Sequence, residues 1–215
     1  QGKAIESVAS RNVKVITVGN PCNTNALIAC ANAPSISSRQ FTAMTRLDQN
    51  RAVAHIAEHA GVPASAIRDV FIWGNHANTM YPDPRFGTVD GVPITNLLDT
   101  KWLQGQFIET VSTRGKAIIV ARGASSAASA ASAAIDHMRD WWQGTNGRIV
   151  SMAIPSEGWY GVPKGLVFSF PCRCENGSIV VVEDLLLDEF AQSKIDENIA
   201  ALLEERDAVS DLLGN

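Results

Sequence analysis

The spacing of apolar residues in the first third of the chain predicts strands that alternate with helices. Two runs of β-forming residues, at 13–18 (VKVITV) and 70–74 (VFIWG), end at turn-forming residues and are typical of buried strands. Apolar residues at helical spacing predict a helix from the first residues of the chain, and further helices at 24–32 and 48–60. This alternation indicates an α/β arrangement.

The rest of the chain predicts an α+β arrangement. A helical region with a break near Gly105 or Gly115 is followed by a stretch of seven alanines and four serines at 124–134. Such small side chains permit close helix packing, although low-complexity disorder is the alternative. Short runs bounded by glycine then predict an antiparallel meander, and an amphipathic helix follows. We expect the helical region at 97–121, the strands at 148–155, 166–173 and 178–182, and the last helix at 188–213.

Composition narrows the function classes. The formal charge is −4, from 18 basic and 22 acidic residues, whereas a nucleic-acid-binding domain needs a basic face. No apolar run approaches the roughly 18 residues that span a bilayer, and no signal peptide is visible. Four cysteines are too few for a disulfide scaffold, which favours a reducing compartment. We therefore expect a cytoplasmic protein that binds neither nucleic acid nor a membrane.

The first group of candidate site residues follows the first predicted strand, at Gly19, Asn20 and Pro21. Ligands of open α/β sheets bind beyond the carboxyl ends of the strands. An asparagine at this place offers an amide donor and an acceptor to a polar ligand. The alternative is a turn with no further role.

The second group is Asp48 and Arg51, which lie three residues apart in a predicted helix and so share one face. An aspartate that faces the interior can orient a histidine, and an arginine beside it can bind a carboxylate through its planar fork. The alternative is a solvated ion pair, which contributes only about 0.2–0.5 kcal/mol.

The third candidate is His76, which lies just past the strand predicted at 70–74. Its ordinary pKa suits proton transfer near neutral pH, and a structural histidine is the alternative. His55 and His59 have the spacing of metal ligands, but no third ligand lies near them in the sequence, so we predict no metal site.

Cysteine chemistry is a further alternative. Cys22 with His76 would be a nucleophilic pair, and Cys172 and Cys174 on one face of a strand would be a redox switch. The chain contains no C-x-x-C pair, however, and we expect plain thiols.

Five segments, in order and in one register, resemble the malate dehydrogenase family in the branch that includes the cytosolic enzymes. They are Val18–Ile28 (VGNPCNTNALI), Phe41–Ala52 (FTAMTRLDQNRA), Ile72–Asp83 (IWGNHANTMYPD), Arg122–Ser132 (RGASSAASAAS) and Pro155–Pro171 (PSEGWYGVPKGLVFSFP). The resemblance implies the end of a Rossmann-type NAD-binding domain at 1–34 and an α+β substrate domain with antiparallel strands at 35–215. It also implies the reversible NAD-dependent oxidation of (S)-malate to oxaloacetate.

The resemblance also implies roles for the candidate residues. His76 would donate and accept the proton, and Asp48 would hold its ring. Arg51 would bind the substrate carboxylate, and Asn20 the hydroxyl or carbonyl oxygen. The implied NAD contacts are Gln1, Val18, Gly19, Asn20 and Ser125 or its neighbour Ser126. Gln49, Ala77 and Met80 depart from the residues common in the family, which affects substrate positioning and leaves proton transfer intact.

The segments that match the family do not include the first half of the family's sequences. In the family, that half contains the glycine-rich unit and the mobile loop that distinguishes oxaloacetate from pyruvate as a substrate. The chain begins with Gln1 inside a predicted helix, so we expect that an N-terminal part precedes it. We also expect the 215 residues alone to be inactive. Three alternatives remain. The protein could be a lactate dehydrogenase of the same family, its cofactor could be NADP, or the chain could be a non-catalytic fragment that keeps the fold for dimerisation.

The resemblance further implies a homodimer, because members of the family are commonly dimers. The alanine- and serine-rich stretch from Ala124 and the helix Gln49–His59 are the candidate contact faces.

Overall fold

The computed structural model describes residues 1–214. Its strands are β1 (Val15–Thr17), β2 (Phe41–Ala43), β3 (Ile67–Arg68), β4 (Phe71–Trp73), β5 (Tyr81–Asp83), β6 (Thr88–Val89), β7 (Val92–Pro93), β8 (Val150–Pro155), β9 (Val167–Glu175) and β10 (Ser178–Val181). Its α-helices are α1 (Gly2–Val8), α2 (Cys22–Ala31), α3 (Arg46–Ala60), α4 (Ile94–Leu97), α5 (Thr100–Trp102), α6 (Ile108–Arg122), α7 (Ala128–Gln143) and α8 (Glu189–Ala208).

The largest sheet has five strands in the order β1-β2-β8-β9-β10. β1 and β2 run parallel, with Val15 opposite Phe41, whereas β8, β9 and β10 form the antiparallel meander that the sequence predicts. The combination confirms the predicted fold class. The domain boundary predicted after residue 34 falls between the paired strands β1 and β2, and the division into two domains stays a prediction.

Two smaller sheets accompany the large one. β4 pairs with β5, while β3, β6 and β7 form a separate antiparallel sheet. Asp90 and Gly91, with φ angles of 48° and 82°, form the tight turn between β6 and β7. Beyond β4, Gly74 exchanges two backbone hydrogen bonds with Ser169 of β9. This bridge fixes the chain just before His76 against the large sheet.

Helix α3 presents its first turn to the protein interior. It begins after Thr45 and ends at Gly61, which has the left-handed φ of 68° that glycine adopts at helix ends. α3 packs against α6, α7, β4 and β8, and its buried residues include Asp48 as well as Ala52 and Ile56. The helix therefore carries the aspartate into the interior with its apolar face.

Several helix boundaries differ from the prediction. The last helix, expected at 188–213, ends at Ala208, and a short 3₁₀ turn follows at Ser210–Leu212. The helical region expected at 97–121, with a break near Gly105 or Gly115, begins with the end of α4, with α5 and with a π-helical turn at Leu103–Phe107 that contains Gly105. That turn keeps both Leu103 and Phe107 in the core, whereas Gly115, the alternative place for the break, lies inside α6. α7 begins at Ala128, because Gly123 ends α6 at a φ of 70° and residues 124–127 connect the two helices.

In residues 1–214, we find no helix whose length and apolar character would let it cross a membrane.

Candidate active site

Three segments that are distant in sequence border one cleft of about 520 Å³. They are the turn after β1, the first turns of α3 and the loop after β4, and α6 with the connection to α7 lines the remaining side. The predicted site residues in the lining are Val18, Asn20, Asp48, Arg51, His76, Ser125 and Ser126. The fold therefore brings all three groups of candidate residues to one place.

His76 and Asp48 form a hydrogen-bonded pair in this cleft. Nδ1 of His76 lies 2.5 Å from Oδ2 of Asp48. An ionised carboxylate only accepts hydrogen bonds, so Nδ1 carries the proton and donates it to Asp48. The side chain of Asp48 is fully buried, whereas 17% of the His76 side chain is exposed. Nε2 is therefore the ring nitrogen left to exchange a proton with a ligand.

The surroundings of His76 favour its charged form. Burial by itself lowers the pKa of the imidazole, but the hydrogen bond that His76 donates to Asp48 and the negative charge of Asp48 outweigh burial. The nearby charge of Arg51 acts in the opposite direction and is weaker. The net result is a pKa of His76 above its ordinary value.

Arg51 lies beside this pair and is not a solvated surface residue. Its Nη1 is 3.6 Å from Oδ1 of Asp48, and its Nη2 donates a hydrogen bond of 3.1 Å to Oγ of Ser126. Burial lowers the pKa of Arg51 and Asp48 raises it, but an arginine stays protonated at any physiological pH. The site thus contains a fixed positive fork next to a histidine, which suits a carboxylate-bearing ligand.

Buried asparagines hold the backbone that carries His76. Oδ1 of Asn23, in the first turn of α2, accepts the N–H of His76 at 3.0 Å. The Nδ2 of Asn23 donates to the carbonyl oxygens of Gly74 and Val167. From α8, Oδ1 of Asn198 accepts the N–H of Asn75. Neither Asn23 nor Asn198 is among the residues predicted from the sequence.

The sequence contains one signal that could have revealed Asn198. This residue is fully buried and lies in α8 between the partly or fully buried Ile195, Ile199 and Leu202. A polar amide on the apolar side of an amphipathic helix needs buried hydrogen-bond partners. Asn23 has no comparable signal, because its partners come from β9 and from the segment after β4, far away in the chain.

Of the predicted cofactor residues, Asn20 lines this cleft, whereas Gly19 and Gln1 do not. Asn20 is exposed and joins Pro21 through a cis peptide bond. Gly19 accepts a hydrogen bond from Asn25 through its carbonyl oxygen but does not line the cleft. Gln1 precedes α1 and borders a separate pocket beside Asn32. The structure therefore does not bring Gln1 to His76, and its cofactor role stays a prediction.

The cysteines do not extend this site. Cys22 donates a hydrogen bond to the carbonyl oxygen of Thr17, and burial raises the pKa of its thiol to about 12. A thiol with this pKa is protonated at neutral pH, which argues against a nucleophilic pair of Cys22 and His76 and agrees with the expected plain thiol. Cys172 and Cys174 are buried free thiols in β9, which argues against a solvent-accessible redox switch.

The two histidines with metal-ligand spacing serve packing. His59 stacks on Trp102, with ring centroids 3.8 Å apart, and His55 lies against Trp102 and Phe107. Within residues 1–214, histidine, cysteine, aspartate and glutamate side chains form no group of three or more that could hold a metal ion.

Comparison with known proteins shows which family the chain resembles. Residues 45–212 match the model of the lactate/malate dehydrogenase α/β C-terminal domain. That range contains Asp48, Arg51, His76 and Asn198, and it leaves out the segment with Asn20.

Solved structures of whole chains extend the match to the first residues. Malate dehydrogenase from Naegleria fowleri is 45% identical, with a TM-score of 0.93, over 99% of this chain and 65% of that chain. Trichomonas vaginalis lactate dehydrogenase in complex with NADH and oxamate is 34% identical, with a TM-score of 0.94, over 99% and 66%. The chain thus spans about two thirds of these relatives.

A more distant structure shows the fold alone. Malate dehydrogenase from Plasmodium falciparum in complex with NADH is 24% identical, with a TM-score of 0.84, over 99% of this chain and 72% of that chain.

Proposed function

We propose, because the chain belongs to the lactate/malate dehydrogenase family, that it supplies the acid–base and substrate-binding residues of an NAD-dependent malate dehydrogenase. The reaction is the reversible oxidation of (S)-malate to oxaloacetate. The observation that carries this proposal is the cleft in which the buried pair of Asp48 and His76 lies next to Arg51. The 45% identity to a malate dehydrogenase favours malate as the substrate.

His76 performs the proton transfer in this proposal. During oxidation, Nε2 of the neutral ring takes the proton of the substrate hydroxyl while a hydride leaves the carbon that bears this hydroxyl. During reduction, the protonated ring returns the proton to the carbonyl oxygen as negative charge develops there. Asp48 holds Nδ1 in its protonated state and stabilises the imidazolium that forms.

Arg51 and Asn20 orient the substrate. The two amino groups of the Arg51 fork match the two oxygens of a carboxylate, and the charge of the fork is held in place by Ser126 and Asp48. Asn20, which also lines the cleft, offers its amide to the reacting oxygen. Together they keep the carbon that loses the hydride close to Nε2 of His76.

The cleft fits the nicotinamide end of the cofactor. Val18 and Val120 expose apolar surface in its lining, and Ser125 and Ser126 offer hydroxyl groups beside them. An apolar wall with a few polar groups is the usual setting for a planar ring that carries an amide. We assign Val18, Gly19, Asn20 and Ser125 to the nicotinamide and Gln1 to a more distant part of NAD. When bound, NAD accepts the hydride from the substrate.

Lactate dehydrogenase is the second candidate activity, because a lactate dehydrogenase is 34% identical to this chain at a TM-score of 0.94. Both acids have a carboxylate next to a hydroxyl-bearing carbon, so His76 and Arg51 serve either substrate.

We also propose a homodimer through the outer face of α7. Ile135 and Trp142 lie two helical turns apart on α7 and are 65% and 71% exposed. Such apolar surface beside an alanine- and serine-rich helix start suits close packing against a second copy. Sedimentation of the wild type and of Trp142→Glu tests this assembly, and an unchanged mass in the variant contradicts it.

The four free thiols fit the cytoplasmic location predicted from the sequence.

The test of the proposed function is NADH formation by the natural full-length protein with (S)-malate and with (S)-lactate. We expect higher kcat/KM for malate and a fall of about 10²- to 10⁴-fold in His76→Asn. His59→Asn, which changes a histidine outside the cleft, is the matched control and should keep the wild-type rate. Oxidation of lactate without oxidation of malate would establish lactate dehydrogenase as the activity. Full activity of His76→Asn would contradict the mechanism.

A further inference from the structure

Asn198 joins the last helix to both ends of the loop that carries His76. Its Oδ1 accepts the N–H of Asn75 at 2.8 Å, across 123 residues of sequence. Its Nδ2 donates to the carbonyl oxygen of Thr79 at 2.6 Å and to that of Lys194, in α8 itself, at 2.8 Å. One buried amide therefore clamps residues 75–79, which we call the His76 loop.

Gly74 makes this close approach sterically possible. A Cβ atom at position 74 would lie 2.1 Å from Oδ1 of Asn198, far inside van der Waals contact. Gly74 also has a φ of 92°, which side chains of L-residues rarely adopt. Asn198 thus occupies the space that any side chain at position 74 would need.

Glu205 reinforces the clamp from the same helix. It lies seven residues after Asn198, which places both side chains on one face of α8. Its Oε1 accepts a hydrogen bond of 2.7 Å from Nδ2 of Asn75, and its Oε2 accepts one from the hydroxyl of Thr24 in α2. The His76 loop is therefore held between α8 and α2, and Asn23 of α2 accepts the backbone N–H of His76.

We propose that Asn198 is a positioning residue, which holds the His76 loop so that the imidazole ring meets both Asp48 and the substrate. The inference rests on the proton-transfer role proposed above for His76. Asn198 does not line the cleft, so it acts on the reaction through the loop alone.

The hydrogen bonds of Asn198 separate this role from simple packing. A leucine has about the same size and suits the apolar side of α8, but it leaves the N–H of Asn75 and the carbonyl of Thr79 without a partner. Buried groups that lose their partners shift to find new ones, at a cost of about 1–3 kcal/mol each. The His76 loop would move, whereas the rest of the core would keep its apolar contacts.

The test compares Asn198→Leu with Leu202→Ala in the natural full-length protein. Leu202 is also buried in α8, so its truncation destabilises the helix packing without removing a hydrogen bond to the loop. We expect kcat with malate to fall about 10- to 100-fold in Asn198→Leu, because small displacements of a reacting group are that costly. KM stays close to the wild-type value, since Arg51 is unchanged, and Leu202→Ala keeps its kcat.

A second readout does not need turnover. The proton on Nδ1 of His76 gives a hydrogen-bonded imidazole signal in NMR spectra, assigned by its loss in His76→Asn. We expect this signal to broaden or disappear in Asn198→Leu and to persist in Leu202→Ala. If the wild type turns over neither acid, the proposed function fails, and the NMR signal still decides the role of Asn198.

An unchanged kcat, or an unchanged Nδ1 proton signal, in Asn198→Leu overturns the positioning role. If Asn198→Leu does not fold, Asn198→Ala takes its place, because the smaller side chain removes the same hydrogen bonds to Asn75 and Thr79 without adding bulk beside Gly74. The same two outcomes then apply to that variant.

Discussion

Oδ2 of Asp48 lies 2.5 Å from Nδ1 of His76, although 28 residues separate the two in the chain. α3 supplies the aspartate, and the loop after β4 supplies the histidine. Because the carboxylate is fully buried, water does not compete for this hydrogen bond. The relationship fixes which ring nitrogen carries the resident proton and leaves Nε2 for the substrate.

Asp48→Asn should remove most of the activity. An asparagine amide can donate to Nδ1 and stabilise the wrong tautomer, and it no longer stabilises the imidazolium. We expect kcat to fall by about 10³- to 10⁴-fold, on the scale known for such pairs in other enzymes. Asp136→Asn, which changes an aspartate paired with Arg139 near the surface of α7, is the control. Comparable kcat values for the two variants would contradict the role of Asp48.

The two directions of the reaction should depend on pH in opposite ways. Oxidation needs the neutral ring of His76, so its rate falls as the pH drops through the raised pKa of His76. Reduction needs the protonated ring, so its rate falls as the pH rises through the same pKa. The charged residues that line the cleft with His76 are Asp48, Arg51 and Lys116.

Asp48→Asn tests the origin of this pH dependence. Removing the charge of Asp48 leaves burial and Arg51 to lower the pKa of His76, so both profiles should move to lower pH. The measurement is kcat/KM against pH in each direction. Profiles that keep their midpoints in the variant would show that another group titrates.

Arg51→Lys should weaken substrate binding although the charge is kept. The ammonium group of lysine cannot form two parallel hydrogen bonds to a carboxylate or keep the bond to Ser126. We expect kcat/KM to fall about 10- to 100-fold, which corresponds to the loss of one charged hydrogen bond. Arg122→Lys, at the exposed end of α6, is the matched control. An equal loss of kcat/KM in Arg51→Lys and Arg122→Lys would show that Arg51 does not bind the substrate carboxylate.

Gly74→Ala should destabilise the protein more than Gly91→Ala. Both glycines have similar positive φ angles, 92° and 82°, so both variants have similar backbone strain. An added Cβ at Gly91 has nothing within 4 Å, whereas at Gly74 it overlaps Asn198. We expect Gly74→Ala to lose about 1–3 kcal/mol more free energy of unfolding, the usual cost of overpacking. Urea denaturation measures the difference, and equal midpoints would contradict the close contact.

The sequence predicts the elements that carry the site better than it predicts their contacts. The i,i+3 spacing of Asp48 and Arg51 and the position of His76 after a buried strand are local patterns, and the structure shows the expected helix and strand. The parallel pairing of β1 with β2, the hydrogen bonds of Asn23 and the contact of Asn198 with Gly74 join distant segments. No local pattern specifies such partners, because they depend on how the elements pack.

The helix boundaries show the same limit. Gly105 and Gly115 look alike as possible breaks, but only the first lies in a π-helical turn. The outcome depends on the burial of Leu103 and Phe107, which is a property of the core and not of the glycines.

The most direct test of the proposed site is a crystal structure of the natural full-length protein with NADH and oxamate, which has the carboxylate next to a carbonyl group that oxaloacetate and pyruvate share. We predict that its carboxylate lies on the guanidinium group of Arg51 and that its carbonyl oxygen lies within hydrogen-bond distance of Nε2 of His76. Oxamate bound outside the cleft of Asp48, Arg51 and His76, with the cofactor in place, would contradict the account.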